Sequence, residues 1–290
     1  MKRLKKYMAV IIVVIMLASP VLALDQVGNP AAISGFETEQ TNIDTTRSVT
    51  TVTVQGSGLG LYPDDNGRPR YGYGVFGMRG SGFIVNNYII TCAHVVNPTQ
   101  VLIRMPDGNT FYGPLVNVTE MMIIVGGSPA RLFSINIEED WAILVFTGPA
   151  AWFQNLKAQC TDTIFYFLTI FGFIAVDQLH PGDMLIAIVR VRDADGNRTG
   201  MSELRVGKVL ADKPIVPPGY EDSLPWFNLN DFTMDILMLP GDSGSPILGF
   251  IDGVPVVIGI GRAAASFPTG EYYAYATRID VVKLITDSIF

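Results

Sequence analysis

The stretch Leu239-Pro240-Gly241-Asp242-Ser243-Gly244-Ser245-Pro246 places a serine between two glycines, with an aspartate before it. Serine is a weak nucleophile unless a base removes its proton, and its attack on a carbonyl creates an oxyanion that needs N–H donors. Glycine at 241 allows a turn that would point the N–H groups of Gly241 and Ser243 into one hole. Glycine at 244 would leave room for substrate. The same motif can also be a simple tight turn, so the choice depends on the rest of the chain.

A candidate base follows a predicted hairpin. The chain has two histidines. His94 comes after two apolar segments joined at Asn86-Asn87, which is a good hairpin turn, and it is predicted at the end of the second strand. A satisfied, half-buried histidine is the alternative for His94. His180 lies in a predicted surface turn before a strand, and we interpret it as structural.

A candidate acid opens the apolar run Trp141–Phe146. Asp140 at the mouth of such a strand can be half-buried and can accept the ring N–H of a histidine. That bond fixes the tautomer and stabilises the imidazolium. Glu138 and Glu139 are expected to be solvated.

The order His, Asp, Ser resembles that of trypsin-like (chymotrypsin-fold) serine proteases. Three blocks carry the resemblance: Gly80–Val85 running into Thr91–Val96, then Asp140–Leu144, then Gly241–Pro246. The resemblance implies an all-β fold of two six-stranded antiparallel β-barrels, with the active site between them and a C-terminal helix. It also implies that His94, Asp140 and Ser243 are catalytic and that the N–H groups of Gly241 and Ser243 form the oxyanion hole.

The same resemblance implies a specificity pocket. The residue six before the nucleophile is Leu237, with Met238 beside it, and the strand that would line the pocket contains Arg262, Ala263 and Ala264. An uncharged floor predicts cleavage after apolar residues. Arg262 would turn the preference toward acidic residues if it pointed inward.

Asp242 is expected to be buried beside the nucleophile. In activated relatives this residue pairs with a freed N-terminal amine, but this chain has no clear Arg/Lys-Ile-Val-Gly-Gly cleavage site. We therefore expect Asp242 to have another partner or none, without a trypsin-style zymogen switch.

The N-terminal segment is typical of export. Residues 1–23 combine a basic opening with an apolar run and small residues before Leu24, which predicts a secretory signal peptide, with an uncleaved anchor as the alternative. Either way, the rest of the chain is expected outside the cytoplasm. Residues 24–48 are polar and aperiodic and are predicted to be a flexible linker or propeptide.

Short strands separated by turn signals dominate the rest, which favours β-barrels. The first is expected over 49–150; within it, Tyr71–Gly77 alternates glycine with larger residues, like a strand close to another backbone. The second is expected over 179–290, ending in a helix over Ile279–Ile289. Because the chain stops there, no PDZ-type C-terminal domain is expected. Val95 stands where many animal relatives have a bridged cysteine, which places the chain nearer the bacterial-type members.

Residues 151–178 depart from the resemblance, because Ile164–Val176 is intensely apolar yet too short to span a bilayer. Three alternatives remain: a segment buried across the two barrels, a contact with a membrane surface, or a self-association interface. The two cysteines, Cys92 and Cys160, could form a bridge between this insertion and the histidine's strand, or remain unpaired.

Charge excludes one class of partner. The chain has a net charge of −7, and residues 1–23 hold four of its 20 Lys and Arg and none of its 27 Asp and Glu, so the remainder is more acidic still. This argues against nucleic acid. The acidic loop Asp193–Asn197 does not match an EF-hand, and no metal or cofactor is expected. The expected partner is a protein or peptide substrate.

Two other functions compete with an endopeptidase. One is a catalytically silent, protease-like binding scaffold. The other is an esterase or acyl transferase that uses the same triad. The Gly-x-Ser-x-Gly elbow and the Ser-Asp-His order of α/β-hydrolase esterases are, however, not found in the sequence.

Overall fold

The computed structural model describes residues 49–85, 88–148, 179–193, 198–220, 230–251 and 254–278. The predicted signal peptide (1–23), linker (24–48), apolar insertion (151–178) and C-terminal helix lie outside the described residues. The helix within these ranges is too short to cross a membrane.

The first half of the described chain is a closed sheet of antiparallel strands. Its strands are β1 (Thr50–Pro63), β2 (Pro69–Val85), β3 (Tyr88–Thr91), β4 (Gln100–Arg104), β5 (Thr110–Val125), β6 (Ser128–Asn136) and β7 (Trp141–Phe146), with a one-turn helix α1 (Ala93–Val96) after β3. Six strands form a ring in the order β1-β2-β3-β7-β6-β5, because β5 pairs back with β1. Strand β4 is a seventh, additional strand that pairs with β5 and β2.

The second half is another antiparallel barrel. Its strands are β8 (Met184–Arg192), β9 (Arg198–Ala211), β10 (Asp231–Met234), β11 (Pro246–Ile251), β12 (Val254–Ser266) and β13 (Tyr272–Arg278). They close in the order β10-β13-β12-β11-β8-β9. The predicted all-β fold of two six-stranded antiparallel barrels is therefore confirmed, with β4 as an addition that the sequence analysis did not anticipate.

Alternation along β1 shows why these segments form strands. Val52 and Val54 are fully buried, whereas Thr51 and Thr53, which precede them, are only half-buried. Successive side chains of a strand point to opposite faces, so β-branched residues at every second position line the barrel interior. The glycine pattern of β2 has the expected cause at Gly74, where a Cβ would lie 2.3 Å from the Leu102 carbonyl oxygen.

Two apolar clusters stabilise the barrels. One fills the first barrel and continues into the second through residues that include Ile186, Leu248 and Ile260. The other fills the second barrel interior around Phe232 and Met234. Because each fully buried aliphatic or aromatic side chain contributes about 1.5–3 kcal/mol, the continuous first cluster also holds the two barrels against each other.

Backbone contacts join the barrels beside the sequence motif that carries Ser243. The N–H of Ser81 on β2 donates to the Ser243 carbonyl at 2.7 Å, and the Ser81 hydroxyl donates to the Gly241 carbonyl at 3.1 Å. A Cβ at Gly244 would lie 1.8 Å from the Ser81 carbonyl oxygen. The expectation that Gly244 leaves room for substrate is therefore wrong: its missing side chain makes room for the other barrel.

Candidate active site

His94 lies on a helical turn and not at the end of a strand. Strand β3 ends at Thr91, and α1 follows after Cys92. Ala93, Val95 and Val96 of α1 are buried, while the His94 side chain is 43% exposed. The apolar residues thus anchor the turn in the first core and leave the imidazole facing outward.

Strand pairing brings Asp140 to His94. Strands β3 and β7 are antiparallel, with Thr91 opposite Ala142. The residues just after β3 and just before β7 therefore meet at one end of the barrel. His94 stands three positions after Thr91, and Asp140 stands two before Ala142. Two segments that are distant in sequence are in this way adjacent in the fold.

Asp140 makes two hydrogen bonds to His94. Its Oδ2 is 2.7 Å from the ring Nδ1, and its Oδ1 accepts the His94 backbone N–H at 2.8 Å. An ionised carboxylate only accepts, so the proton of the neutral ring is on Nδ1 and Nε2 is available to accept one. The carboxylate is 4% exposed. Asp140 also has φ 54°, the only positive φ outside glycine among the described residues, which costs about 1–2 kcal/mol.

Glu139 helps to hold this unusual turn. Its carboxylate accepts from Trp141 Nε1 at 2.8 Å, from Asn136 Nδ2 at 3.1 Å and from Asn230 Nδ2, on the second barrel, at 3.2 Å. The expectation that Glu139 is merely solvated is wrong. Its contacts connect the turn that carries Asp140 to both barrels.

The Ser243 hydroxyl donates to the Arg262 carbonyl at 2.8 Å. Within the described ranges, no hydrogen bond joins Ser243 and His94 directly. Arg262 nevertheless places them at one site, since its guanidinium Nε is 2.8 Å from Oδ2 of Asp140, the residue bonded to His94. The three residues expected to be catalytic are therefore connected through Arg262.

Two N–H groups of the serine loop remain available. The N–H groups of Asp242, Gly244 and Ser245 donate to the carbonyls of Leu239, Gly261 and Asp242, respectively. In the described part of the chain, those of Gly241 and Ser243 donate to no protein acceptor. Gly241 has φ 94°, which only glycine adopts readily. N–H donors that remain available in the loop carrying a serine are what an oxyanion hole requires.

Asp242 is fully buried, and Arg205 is its partner. Arg205 Nη1 is 2.9 Å from Asp242 Oδ2, which also accepts the Leu239 N–H at 2.8 Å. Arg205 donates to the Leu237 carbonyl as well, at 2.7 Å. A cation from β9 is thus the other partner that the sequence analysis left open for Asp242.

The residues expected to line a specificity pocket have different environments. Leu237 is 54% exposed, so it is not an enclosed floor. Met238 is buried in the second core, and its N–H donates to the Tyr272 hydroxyl at 2.6 Å. Burial raises the pKa of Tyr272. Ala263 is half-buried and Ala264 is exposed.

Arg262 differs most from its expected role. Its guanidinium does not line a pocket but is buried between two carboxylates: Nε is 2.8 Å from Asp140 Oδ2, and Nη1 is 2.5 Å from Asp231 Oδ2. The Thr277 hydroxyl donates to the other Asp231 oxygen at 2.8 Å. The sequence carried one signal of this arrangement, a single charged residue in the otherwise uncharged segment that forms β12.

One group of side chains has the composition of a metal site. Potential ligand atoms of Cys92, His94 and Asp140 lie within 4.8 Å of one another. However, both Asp140 oxygens already accept hydrogen bonds, and the Cys92 thiol donates to the Gly261 carbonyl at 3.3 Å. Burial, aided by the Asp140 charge, raises the pKa of Cys92 well above its usual value, whereas metals bind the thiolate. These residues fit a hydrogen-bonded site better than a metal centre.

Cys92 is a free cysteine, so the bridge to Cys160 that the sequence left open is not formed. Cys160 lies outside the described residues. His180 is exposed in the turn before β8, where its backbone N–H donates to Asp183 Oδ2 at 2.8 Å. It is not among the groups that surround Asp140.

No protein-family model matches the chain, and no curated relative was found. The solved structures that are similar to it include the following three. The active form of the Rv3671c protease from M. tuberculosis is 16% identical, with 88% of this chain and 93% of that chain covered and a TM-score of 0.44. The thermostable serine protease AL20 from an extremophilic microorganism is 14% identical, with 80% and 91% covered and a TM-score of 0.42.

The third is the tobacco etch virus protease complexed with product, which is 13% identical, with 90% of this chain and 85% of that chain covered and a TM-score of 0.42. A likeness at this level transfers no activity, substrate or catalytic residue to this chain.

Proposed function

We propose that this protein is an exported serine endopeptidase that cleaves peptide bonds through an acyl-enzyme. The observation that carries the proposal is the chain of contacts from the His94 ring to Asp140, and from Asp140 through Arg262 to the Ser243 hydroxyl. Export is supported by the basic and apolar composition of residues 1–23.

In the proposed reaction, Ser243 attacks the substrate carbonyl while His94 Nε2 takes the hydroxyl proton. Asp140 holds the ring in the tautomer that leaves Nε2 free and stabilises the imidazolium that forms. To begin, the hydroxyl must turn from the Arg262 carbonyl toward His94. Catalytic hydrogen bonds are often completed only when substrate binds, so the resting bond is compatible with this step.

The N–H groups of Gly241 and Ser243 bind the oxyanion of the tetrahedral intermediate. His94 then returns the proton to the leaving amine, which leaves an acyl group on Ser243 for water to remove. The Arg205–Asp242 pair keeps these donors in place before substrate arrives. We therefore propose that no cleavage near the N-terminus is needed to organise the loop.

The proposed preference is for cleavage after apolar residues. Leu237, Ala263 and Ala264 offer uncharged accessible surface beside the serine loop. The charge of Arg262 faces two carboxylates, which removes the basis for a preference for acidic residues. Profiling with a peptide library tests this: a strong preference for Lys, Arg or acidic residues would contradict it.

Labelling with a fluorophosphonate tests the proposed activity. The full-length protein is expected to be labelled once, at Ser243, and to hydrolyse a mixed peptide library. Ser243→Ala should abolish both without lowering the midpoint of thermal unfolding. Undiminished hydrolysis in that variant would show that Ser243 is not the nucleophile, and an unlabelled, inactive wild-type protein would favour the binding scaffold.

The two histidines provide a matched pair. His94→Ala should lose both labelling and hydrolysis, because the base is gone. His180→Ala should retain them, because His180 stands apart from the Asp140 contacts. Equal losses in both variants would contradict the assignment of His94 as the base.

A further inference from the structure

We propose that Arg262, held by Asp231, is a positioning residue that fixes the Asp140 carboxylate and tunes how readily His94 takes up a proton. This inference rests on the proposed function for its consequence in catalysis. The contact of the guanidinium with Asp140 does not depend on that function and can be tested separately.

The geometry makes Arg262 a clamp. The guanidinium is a rigid planar fork, so two of its nitrogens bound to two carboxylates leave it little freedom to move. Asp231 is itself fixed, since it is opposite Thr277 in the pairing of β10 with β13 and accepts the Thr277 hydroxyl. Asp140 Oδ2 is thus bound from one side by His94 and from the other by a group anchored in the second barrel.

Charge gives the clamp a second effect. Asp140, Arg262 and Asp231 together carry one net negative charge and are buried, where solvent screens poorly. A net negative charge behind the imidazole favours its protonated form. Removing the guanidinium would leave two negative charges, whereas neutralising Asp231 would leave none. The two changes should therefore shift the protonation of His94 in opposite directions.

The ionisable groups connected to His94 through Asp140, or close to that carboxylate, come from several elements. Asp140 comes from the turn before β7, Cys92 from the position just after β3, Arg262 from β12 and Asp231 from β10. Cys92 stays a neutral thiol in the physiological range, because burial raises its pKa. Glu139, next in sequence to Asp140, has its carboxylate on Trp141, Asn136 and Asn230 instead. The variable charges behind the ring are therefore those of Arg262 and Asp231.

A purely structural role of Arg262 predicts a different result. Buried ion pairs often add little to stability, and breaking one leaves a buried charge that destabilises the fold. If Arg262 only supported packing, its variants would lose stability and activity together. The pH at which His94 changes its protonation state would then stay the same.

The test compares four variants of the full chain. Arg262→Gln removes the charge, Arg262→Lys keeps it without the fork, and Asp231→Asn neutralises the anchor at almost constant volume. Arg278→Gln is the control, because this arginine of β13 contacts the Asp212 carbonyl and neither Asp140 nor Asp231. For each variant, the proton resonances of the histidine rings and kcat/KM are measured as functions of pH. With only two histidines, His180→Gln assigns the resonances.

The titration midpoint of His94 and the acid limb of kcat/KM are expected to move up by about half a pH unit or more in Arg262→Gln, and down by a similar amount in Asp231→Asn. Arg262→Lys should keep the midpoint and lose about tenfold in kcat, because the carboxylate is held less rigidly. Arg278→Gln should change neither.

The proposal is overturned if the midpoint is unchanged in both Arg262→Gln and Asp231→Asn, or if it moves the same way in both. Should Arg262→Gln not fold, Asp231→Asn decides, and an unmoved midpoint there is sufficient to reject it. A further outcome is that the midpoints move as expected while the wild-type protein neither reacts with the fluorophosphonate nor hydrolyses peptides. In that case the endopeptidase assignment fails, but the effect of Arg262 and Asp231 on the protonation of His94 stands.

Discussion

The two halves of the candidate site are built in different ways. The His94–Asp140 half lies in the first barrel, where the pairing of Thr91 with Ala142 brings the two residues to the same end of adjacent strands. The Ser243 half lies in the second barrel, on a loop without regular structure between β10 and β11. Side chains from other elements hold that loop.

Four elements supply those side chains. Arg205 of β9 binds Asp242 and the Leu237 carbonyl. Tyr272 of β13 binds the Met238 backbone, and Ser81 of β2 binds the Gly241 carbonyl. Arg192 of β8 donates to the Pro240 carbonyl. Mutations in the two halves should therefore affect catalysis and folding differently. In the first half, strand hydrogen bonds keep the fold when a catalytic side chain changes. In the second, the residues that shape the loop also carry stability.

Asp140→Asn should produce the largest effect and sharpen this contrast. The amide cannot hold the ring in the productive tautomer or stabilise the imidazolium, so kcat should fall by about 10⁴-fold. Asn tolerates the left-handed backbone at 140, which limits the loss of stability. Steady-state kinetics and thermal unfolding measure the two effects, with the exposed Glu138→Gln as control. A loss of less than tenfold would show that Asp140 is not the orienting acid.

Gly244→Ala should show that the serine half couples to folding. Its Cβ would meet the Ser81 carbonyl oxygen at 1.8 Å, in a backbone with φ 95°. We expect the free energy of unfolding to drop by more than about 4 kcal/mol, in the exceptional range for one substitution. Gly270→Ala is the matched control, since φ is 96° and nothing lies within 4 Å, so only the backbone strain of about 1–2 kcal/mol remains. If urea unfolding showed similar losses of stability in Gly244→Ala and Gly270→Ala, the contact between the barrels would not be the cause of the loss in Gly244→Ala.

Arg205→Met should rank next. It leaves the buried Asp242 carboxylate without its cation, which should lower the free energy of unfolding by about 3 kcal/mol and reduce kcat, because the loop carries the Gly241 and Ser243 donors. Adding Asp242→Asn should recover part of the lost stability by removing the uncompensated charge. Denaturant unfolding of the single and double variants checks this, and a double variant less stable than Arg205→Met would contradict it.

The smallest expected effect is alkaline destabilisation through Cys92, which packs behind the His94 half. Burial raises its pKa above the value of the unfolded thiol, about 8.5, so the folded state holds its proton over a range where the unfolded state has lost it. Stability is full below pH 8.5 and should fall above it by up to about 1.4 kcal/mol per pH unit. Stability curves of Cys160→Ser with and without Cys92→Ala should differ in slope above pH 8.5; parallel curves would contradict the linkage.

Much of this site was accessible from sequence because its parts are local. Three short motifs named the candidate base, acid and nucleophile, and glycine at 241 indicated the turn that frees two N–H groups. Alternating apolar residues and turn signals predicted the strands of both barrels. These features depend on residues within one strand or turn, so the order of residues carries them.

The sequence-based predictions that were wrong concern contacts between segments that are far apart along the chain. Gly244 was assigned to substrate because nothing in its neighbourhood shows Ser81 of the other barrel. Arg262 was placed in a pocket because the strand alone does not reveal Asp140 and Asp231 on either side of it. Leu237 was expected on an enclosed floor, although the loop leaves it exposed.

Hydrophobic alternation and turn chemistry act over a few residues, so the order of amino acids is enough to predict an all-β chain of paired strands and the residue types for acyl transfer. That one guanidinium joins the two halves of the site, and that Arg205 neutralises Asp242, is evident only in the folded protein. The reason is physical: a buried charge must find its counter-charge in three dimensions, and no local pattern specifies which distant residue supplies it.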